Sequence, residues 1–424
     1  MSRCVALIDG EHYASVVRDA LAGLPYEVVG AVLLGGTEKL RGGEDYGVPV
    51  HHSLEDALAE HVPDVVFDLS DEPVLGPRER MRVASRVLAT GIAYLGADFR
   101  FDPPVLEPFP LPSLSIVGTG KRVGKTAVSA YAARRWAREL DVLVVAMGRG
   151  GPAEPLVADV PPTLDDLLAL SRDGGHAASD YLEDAALARV PTIGCRRAGG
   201  GLAGAVVASN VSAGAALAAE RRPDLVVFEG SGAALPPIAT AARMLVANAS
   251  QPADVVAGYL NAYRILVSDL VVLTMAEAGT PHRELAVAVR EVKDVPVVAC
   301  TVRPRPVEDV GGRRVAFFST APAAALDRLA DHLRDAHGAD VVLASPHLAD
   351  RERLRADVER AAAAAADVFL VELKAAAVDV VAEAAAAGGV ELVLADADVV
   401  PVAGDVDGAL DALAVAAREG MAVA

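Results

Sequence analysis

Short apolar runs recur along the chain, each followed by a longer polar stretch with helical spacing. In the first hundred residues Val5–Ile8, Val28–Leu34 and Val65–Leu69 are such runs. Helices alternating with buried strands predict a parallel sheet of Rossmann type. Asp102-Pro-Pro-Val-Leu-Glu-Pro-Phe-Pro-Leu-Pro112 then breaks the pattern, because prolines this dense continue neither a helix nor a central strand. The alternation resumes with a strand through Leu114, Ile116 and Val117, a breaker-free helical stretch Thr126–Leu140, and the strand Val142–Val145. Beyond about residue 300, Arg314–Ser319, Asp340–Ala344, Val368–Leu373 and Val390–Leu394 read as strands separated by alanine-rich helices. The pattern predicts an α/β protein of three segments, 1–108, 113–300 and 301–424.

Composition narrows the function. The 424 residues carry 39 Lys and Arg against 58 Asp and Glu, a net charge of −19. That field disfavours nucleic acid or an anionic membrane as main partner. An anionic small molecule remains open if cations cluster locally. The cysteines Cys4, Cys195 and Cys300 lie far apart and lack metal-finger spacing. Met1-Ser-Arg leads into a strand-like run rather than a signal peptide, so a cytoplasmic location is expected.

Ser113-Leu-Ser-Ile-Val-Gly-Thr-Gly-Lys-Arg-Val-Gly-Lys-Thr126 places a glycine loop between a buried strand and a helix. It ends as a phosphate-binding loop should, in Gly-Lys-Thr, but its opening glycine comes one residue early. In this setting backbone N–H groups and the helix N-terminus present positive charge to phosphate. Gly118, Thr119, Gly120, Lys121, Val123, Gly124, Lys125 and Thr126 are the candidate ATP-binding set. Lys125 would reach the terminal phosphates, and Thr126 would help to hold Mg²⁺. A second strand, Pro223–Phe228, ends in Glu229-Gly-Ser-Gly232, making Glu229 a candidate magnesium carboxylate.

Other polar, glycine-rich stretches stand where strands or helices meet loops, the usual place for ligands in open α/β sheets. They supply Arg149, Arg196 and Arg197, which with Lys121 and Arg122 are the local cations sought above. Guanidinium forks bind phosphate in a bidentate manner. His176, Asp180 and Asp184 are spaced by four, so a metal or acid–base role and a capped, solvated acidic helix face are both open. Asp9, Glu11 and His12 after the first strand either close over the site or form a helix-starting turn. Gly35-Gly36-Thr37 is read as a turn rather than an anion site. Arg303-Pro-Arg-Pro306 either borders an adenine or marks a joint.

The deviant loop resembles that of dethiobiotin synthetase and the cobyrinate amidases. More specifically, "IVGTGKRVGKTAVSAY", "AMGRGGP", "HAASDYLEDA", "CRRAGGGLAG", "FEGSG", "RPRPVEDVGGRRVAFFSTAP" and "ALIDGEHY" together resemble the cyclic 2,3-diphosphoglycerate synthetases over nearly the whole chain. The resemblance implies three-layer parallel sheets, with a central P-loop NTPase domain of dethiobiotin-synthetase type between Rossmann-like flanking domains. It implies an ATP- and Mg²⁺-dependent ligase that closes the two phosphates of a small diphosphate into an anhydride. Lys125, Thr126 and Glu229 would then handle ATP–Mg²⁺, and Arg149, Arg196, Arg197 and His176 the substrate. Related ATPases pair, so a homodimer is expected. The rival expectations are a dethiobiotin- or cobyrinate-type carboxylate ligase and a partition-type ATPase switch. The switch is disfavoured because Gly120 stands where its signature lysine belongs, and because the tail Asp411–Ala424 is not basic.

Overall fold

The computed structural model describes residues 1–163, 166, 169, 180–373 and 378–420. The first segment forms its own sheet from β1 (Arg3–Ile8), β2 (Glu27–Leu33), β3 (Val50–His51), β4 (Val65–Asp68), β5 (Ala93–Leu95) and β6 (Arg100–Phe101), in the order β3-β2-β1-β4-β5-β6. All pairs are parallel except β5–β6. The apolar runs found in sequence are β1, β2 and β4. β5 was hidden because only three residues long, and Tyr94 within it is buried with its hydroxyl on Asp68 Oδ2. Helices Ala14–Gly23, Leu54–His61 and Pro77–Ala89 cover this sheet. The second is capped by Ser53, which accepts the Asp56 N–H, and the third begins with proline at its first turn, where no N–H is missed.

The proline joint is pinned rather than loose. The Glu107 N–H donates to the Pro237 carbonyl (2.9 Å), the Glu107 carbonyl accepts from Ala239 N–H (2.8 Å), and Phe109 packs edge-on against Phe228. The first segment also docks through the helix Pro77–Ala89 on the helix Asn261–Leu266. There Ser85 Oγ meets the Tyr259 carbonyl at 3.1 Å and Arg78 pairs with Asp254 at 3.3 Å.

Beyond the joint lies one large sheet. Its strands are β7 (Ser113–Gly118), β8 (Val142–Gly148), β9 (Leu156–Ala158), β10 (Thr192–Ala198), β11 (Ala208–Ser209), β12 (Leu225–Glu229), β13 (Ala242–Asn248), β14 (Leu270–Thr274), β15 (Val297–Pro306), β16 (Arg314–Phe318), β17 (Asp340–Ser345), β18 (Val368–Glu372) and β19 (Glu391–Ala403). The order is β11-β10-β8-β12-β7-β13-β14-β15-β19-β18-β16-β17, with β9 also against β10. The central strands are buried along their whole length, as parallel strands covered on both faces require.

The boundary expected at residue 300 does not fall at a break in this sheet. β15 runs through it, parallel to β14 at Val297–Ala299 and then antiparallel to β19 from Ala299 to Pro306. β19 in turn runs parallel to β18 through its first half. The Arg-Pro-Arg-Pro stretch that looked like a joint is therefore strand. Pro304 and Pro306 are two residues apart, so both missing N–H groups fall on one edge. β14 has stopped pairing before that point, and proline is tolerated on such an edge. The chain's last helix, Val406–Glu419, then returns to cover the middle segment. Val406, Leu410, Leu413 and Ala417 pack with Leu114, Ile116, Val128 and Trp136, and the Trp136 indole N–H donates to the Leu410 carbonyl (3.1 Å). None of the described helices is long and apolar enough to cross a membrane.

Candidate active site

The glycine loop connects β7 to the helix Lys125–Trp136, whose N-terminus faces the loop. Three neighbours hold its shape. Gly118 N–H donates to the Gly232 carbonyl (3.0 Å), Thr119 N–H donates to the Val246 carbonyl (3.0 Å), and Thr274 Oγ1 lies 2.6 Å from the Val123 carbonyl. Gly124 is left-handed at φ 77°, and a Cβ there would come within 3.2 Å of the Thr274 side chain. Only glycine fits both constraints without strain.

β12 lies next to β7 and delivers Glu229 beside the loop, with Glu229 in register with Ile116. Lys125 Nζ donates to Glu229 Oε1. Burial pushes the Glu229 carboxyl up, but Lys125 and hydrogen bonding outweigh it and hold the group below its usual range. Asp184, on the helix Asp180–Ala188, is the second carboxylate here. It is 2% exposed, and neither of its oxygens meets a donor. Burial first, then the Glu229 charge, hold it protonated well above the ordinary aspartate range. A proton shared between the two carboxyls satisfies both, as two adjacent carboxylates cannot both ionise cheaply. The solvated acidic face left open in the sequence does not apply to Asp184. His176 lies outside the described residues, and so does the Asp180 side chain.

A few residues after Glu229 the chain reaches a cavity of about 460 Å³, lined by Arg149, Arg197, Ala198, Gly199–Gly201, Ala233 and Ala234. Arg149 follows β8 and is exposed. It reaches Gly232, where an added Cβ would stand 3.3 Å from its Nη2 and 3.8 Å from Lys121 Cγ. Gly232 thus stands between the Arg149 guanidinium and the aliphatic stem of Lys121, and its carbonyl is the one that accepts the Gly118 N–H. Arg197 Nη2 donates to the Ser231 carbonyl (2.8 Å) and Nη1 to the Gly199 carbonyl (2.7 Å), joining the two glycine-rich loops. Arg196 does not line this cavity. Successive residues of a strand point to opposite faces, and Arg196 on β10 is exposed on the face opposite Arg197. Its backbone N–H donates to Asn210 Oδ1 (2.7 Å).

Arg264 was not found from the sequence. It is 3% exposed, and its guanidinium donates to the carbonyls of Ala233, Leu202 and Leu260, clamping both loops to the helix Asn261–Leu266. Burial pulls its pKa down to about 10. The available signal was an arginine inside the apolar run Ala262–Val267, since burying a guanidinium is costly unless its donors are used. Among the other sequence candidates, Asp9 is fully buried; it accepts from the Glu11 N–H (2.9 Å), as in a local turn, and from the Asp71 N–H (2.7 Å), which ties that turn to the loop after β4. Gly10 N–H donates to the Gly35 carbonyl (2.8 Å), tying the Gly35-Gly36 stretch to the loop after β1; the turn itself falls just beyond the pair, where Leu40 N–H donates to the Thr37 carbonyl (3.2 Å). Arg303 is engaged by Glu277 through both guanidinium Nη atoms.

Three family models match the chain: the N-terminal domain of cyclic 2,3-diphosphoglycerate synthetase over residues 3–102, its P-loop domain over 113–302, and its C-terminal domain over 306–398. A cyclic 2,3-diphosphoglycerate synthetase of Rubrobacter xylanophilus is 50% identical, covering 99% of this chain and 98% of the relative. That of Methanothermus fervidus is 41% identical, covering 89% and 88%. Among solved structures, LpxK of Aquifex aeolicus overlaps at a TM-score of 0.41 and 14% identity, covering 74% of this chain and 90% of that one.

Proposed function

The chain belongs to the cyclic 2,3-diphosphoglycerate synthetase family, and from that premise we propose that it joins the two phosphates of 2,3-diphosphoglycerate into an internal anhydride at the expense of ATP. Unaided, two phosphate groups do not condense, because both are anionic and oxide or hydroxide leaves poorly. Transfer of the ATP γ-phosphoryl to one substrate phosphate releases ADP and makes a pyrophosphoryl group. An oxygen of the second phosphate then attacks the inner phosphorus and expels inorganic phosphate. The ring closes with the advantage of an intramolecular step. Neither step requires a protein nucleophile, so catalysis is positioning plus charge neutralisation.

The observation that carries this reading is that Arg149, which lines the 460 Å³ cavity, stands beside Gly232, the residue whose carbonyl accepts the Gly118 N–H of the glycine loop (3.0 Å). Lys125 would exchange Glu229 for nucleotide phosphate. Arg149 and Arg197 would hold the diphosphate against the loop. Arg264 would act as a positioning residue by fixing Ala233 and Leu202. A magnesium ion fits the donor set, because no N–H or hydroxyl group donates to Glu229 Oε2 or to either buried Asp184 oxygen, and the ion would take the place of the proton that the two carboxyls share. Glu229, Asp184 and the Thr126 hydroxyl would hold that ion, whose charge would offset the negative charge on the transferring phosphoryl. The homodimer expected from related ATPases and a cytoplasmic location belong to the same proposal. Light scattering tests the first: the mass of two chains supports it and that of one contradicts it.

ADP release provides the test. With ATP and magnesium, turnover should depend on added 2,3-diphosphoglycerate. Equal turnover without any diphosphate would point to a nucleotide switch, and turnover only with a carboxylate and an amine or bicarbonate would point to the dethiobiotin or cobyrinate reaction.

A further inference from the structure

A second cluster of chemistry-bearing side chains lies far along the chain from the glycine loop, where the helix Ala323–His337, packed on β15 and β17, comes beside Asp398. His332 and His337 both stand on this helix, His337 as its last residue before Gly338 turns left-handed at φ 64°. Asp398 stands on β19, the strand that splices the third segment to the β7 sheet. One ring nitrogen from each histidine and a carboxylate oxygen all lie within 4.8 Å of one another. The Nε2 atoms of both histidines are buried and meet no hydrogen-bond partner. Two orphaned ring nitrogens cost about 1–3 kcal/mol each unless something occupies the space they share.

We propose that His332, His337 and Asp398 bind a divalent transition-metal ion of zinc type, with water in the remaining position. Two imidazoles and one carboxylate are a donor set that zinc, cobalt and nickel accept, whereas magnesium prefers oxygen ligands alone. Tetrahedral ligation sets donors about 3.4 Å apart, so contraction from 4.8 Å by rotamer adjustment completes the site. The surrounding cations do not block it. Arg303 is held by Glu277, and Arg305 by Asp396 with a further 3.3 Å contact from its Nε to Asp398 Oδ1. Of the arginines that share a hollow with Asp398, Arg134 is paired with Asp396 and Arg135 with Asp407 and Asp411, while Arg138 also lines it. A bound ion would fasten the helix Ala323–His337 to β19 and stiffen the junction that carries the last helix back to the nucleotide unit. A rival cluster, His51, Glu60 and His61, is a poorer site. Its two Nε2 atoms are 2.9 Å apart and satisfy each other, and Glu60 is exposed.

The test strips the full-length protein with a chelator, titrates zinc against a chromophoric competitor, and repeats the titration with His332→Gln, His337→Gln and His61→Gln. One equivalent should bind to the wild type and to His61→Gln. Affinity should fall by at least about 10–100-fold in the other two, since even outer-shell changes cost that much. Cobalt(II) should give the wild type a tetrahedral ligand-field spectrum that both variants lack. The metal-free melting midpoint of each variant separates loss of the site from loss of the fold. Zinc binding that is absent from the wild type, or that is unchanged in both His332→Gln and His337→Gln, overturns the proposal.

Discussion

At the scale of single residues, the site is a contest between burial and charge around Lys125. Asp184 retains a proton in the folded state that the unfolded chain loses near pH 4. With its folded pKa raised, the folded state binds more protons than the unfolded one, and the stability of the ligand-free protein falls as pH rises above that point. Asp184→Asn mimics the protonated acid. It should raise the melting midpoint at pH 8 by roughly 2–4 °C in chelator while leaving it nearly unchanged at pH 4. ATP-dependent activity should drop at least about 100-fold. A variant destabilised at pH 8, or fully active, would remove Asp184 from the magnesium set. The two neighbouring arginines make the sharper comparison. Arg197→Ala should raise the KM for the diphosphate about tenfold or more with little change for ATP, while Arg196→Ala should leave both within about twofold, because only Arg197 reaches the cavity. The doublet was legible in the sequence. Which member faces the ligand depends on the phase of β10, which no composition or motif fixes.

At the scale of elements, the glycine loop and the Glu229 strand were legible because their requirements are local: a buried strand, a glycine turn and a helix start. β15 was not. Its first half has parallel-strand character and its second half carries two prolines, and only the partner strand β19 makes the whole run continuous. Asp184 was legible as a spacing but not as a buried group, since the burial comes from β8, β10 and the helix Lys125–Trp136 closing around its helix. The helix Val406–Glu419 offers the most direct test at this scale. Leu410 is fully buried against the glycine-loop unit, so Leu410→Ala should cost about 2–5 kcal/mol. Hydrogen exchange should show amides of Val128–Ala133, more than 270 residues away in sequence, losing protection along with the last helix. Loss confined to the last helix would show that the third segment contributes nothing to the nucleotide unit.

At the scale of the whole molecule, an acidic chain of net charge −19 brings three of its cations to one end of one sheet. Arg149 and Arg197 come from strands β8 and β10, and Lys121 from the loop after β7. All three emerge at the carboxyl ends of parallel strands, where open α/β sheets bind ligands. Phosphorus NMR of purified protein with ATP, magnesium and 2,3-diphosphoglycerate tests the central claim most directly. Signals of a cyclic anhydride should grow together with ADP and inorganic phosphate, and all should vanish in Lys125→Ala. ADP and phosphate accumulating while the diphosphate signals stay unchanged would contradict the account.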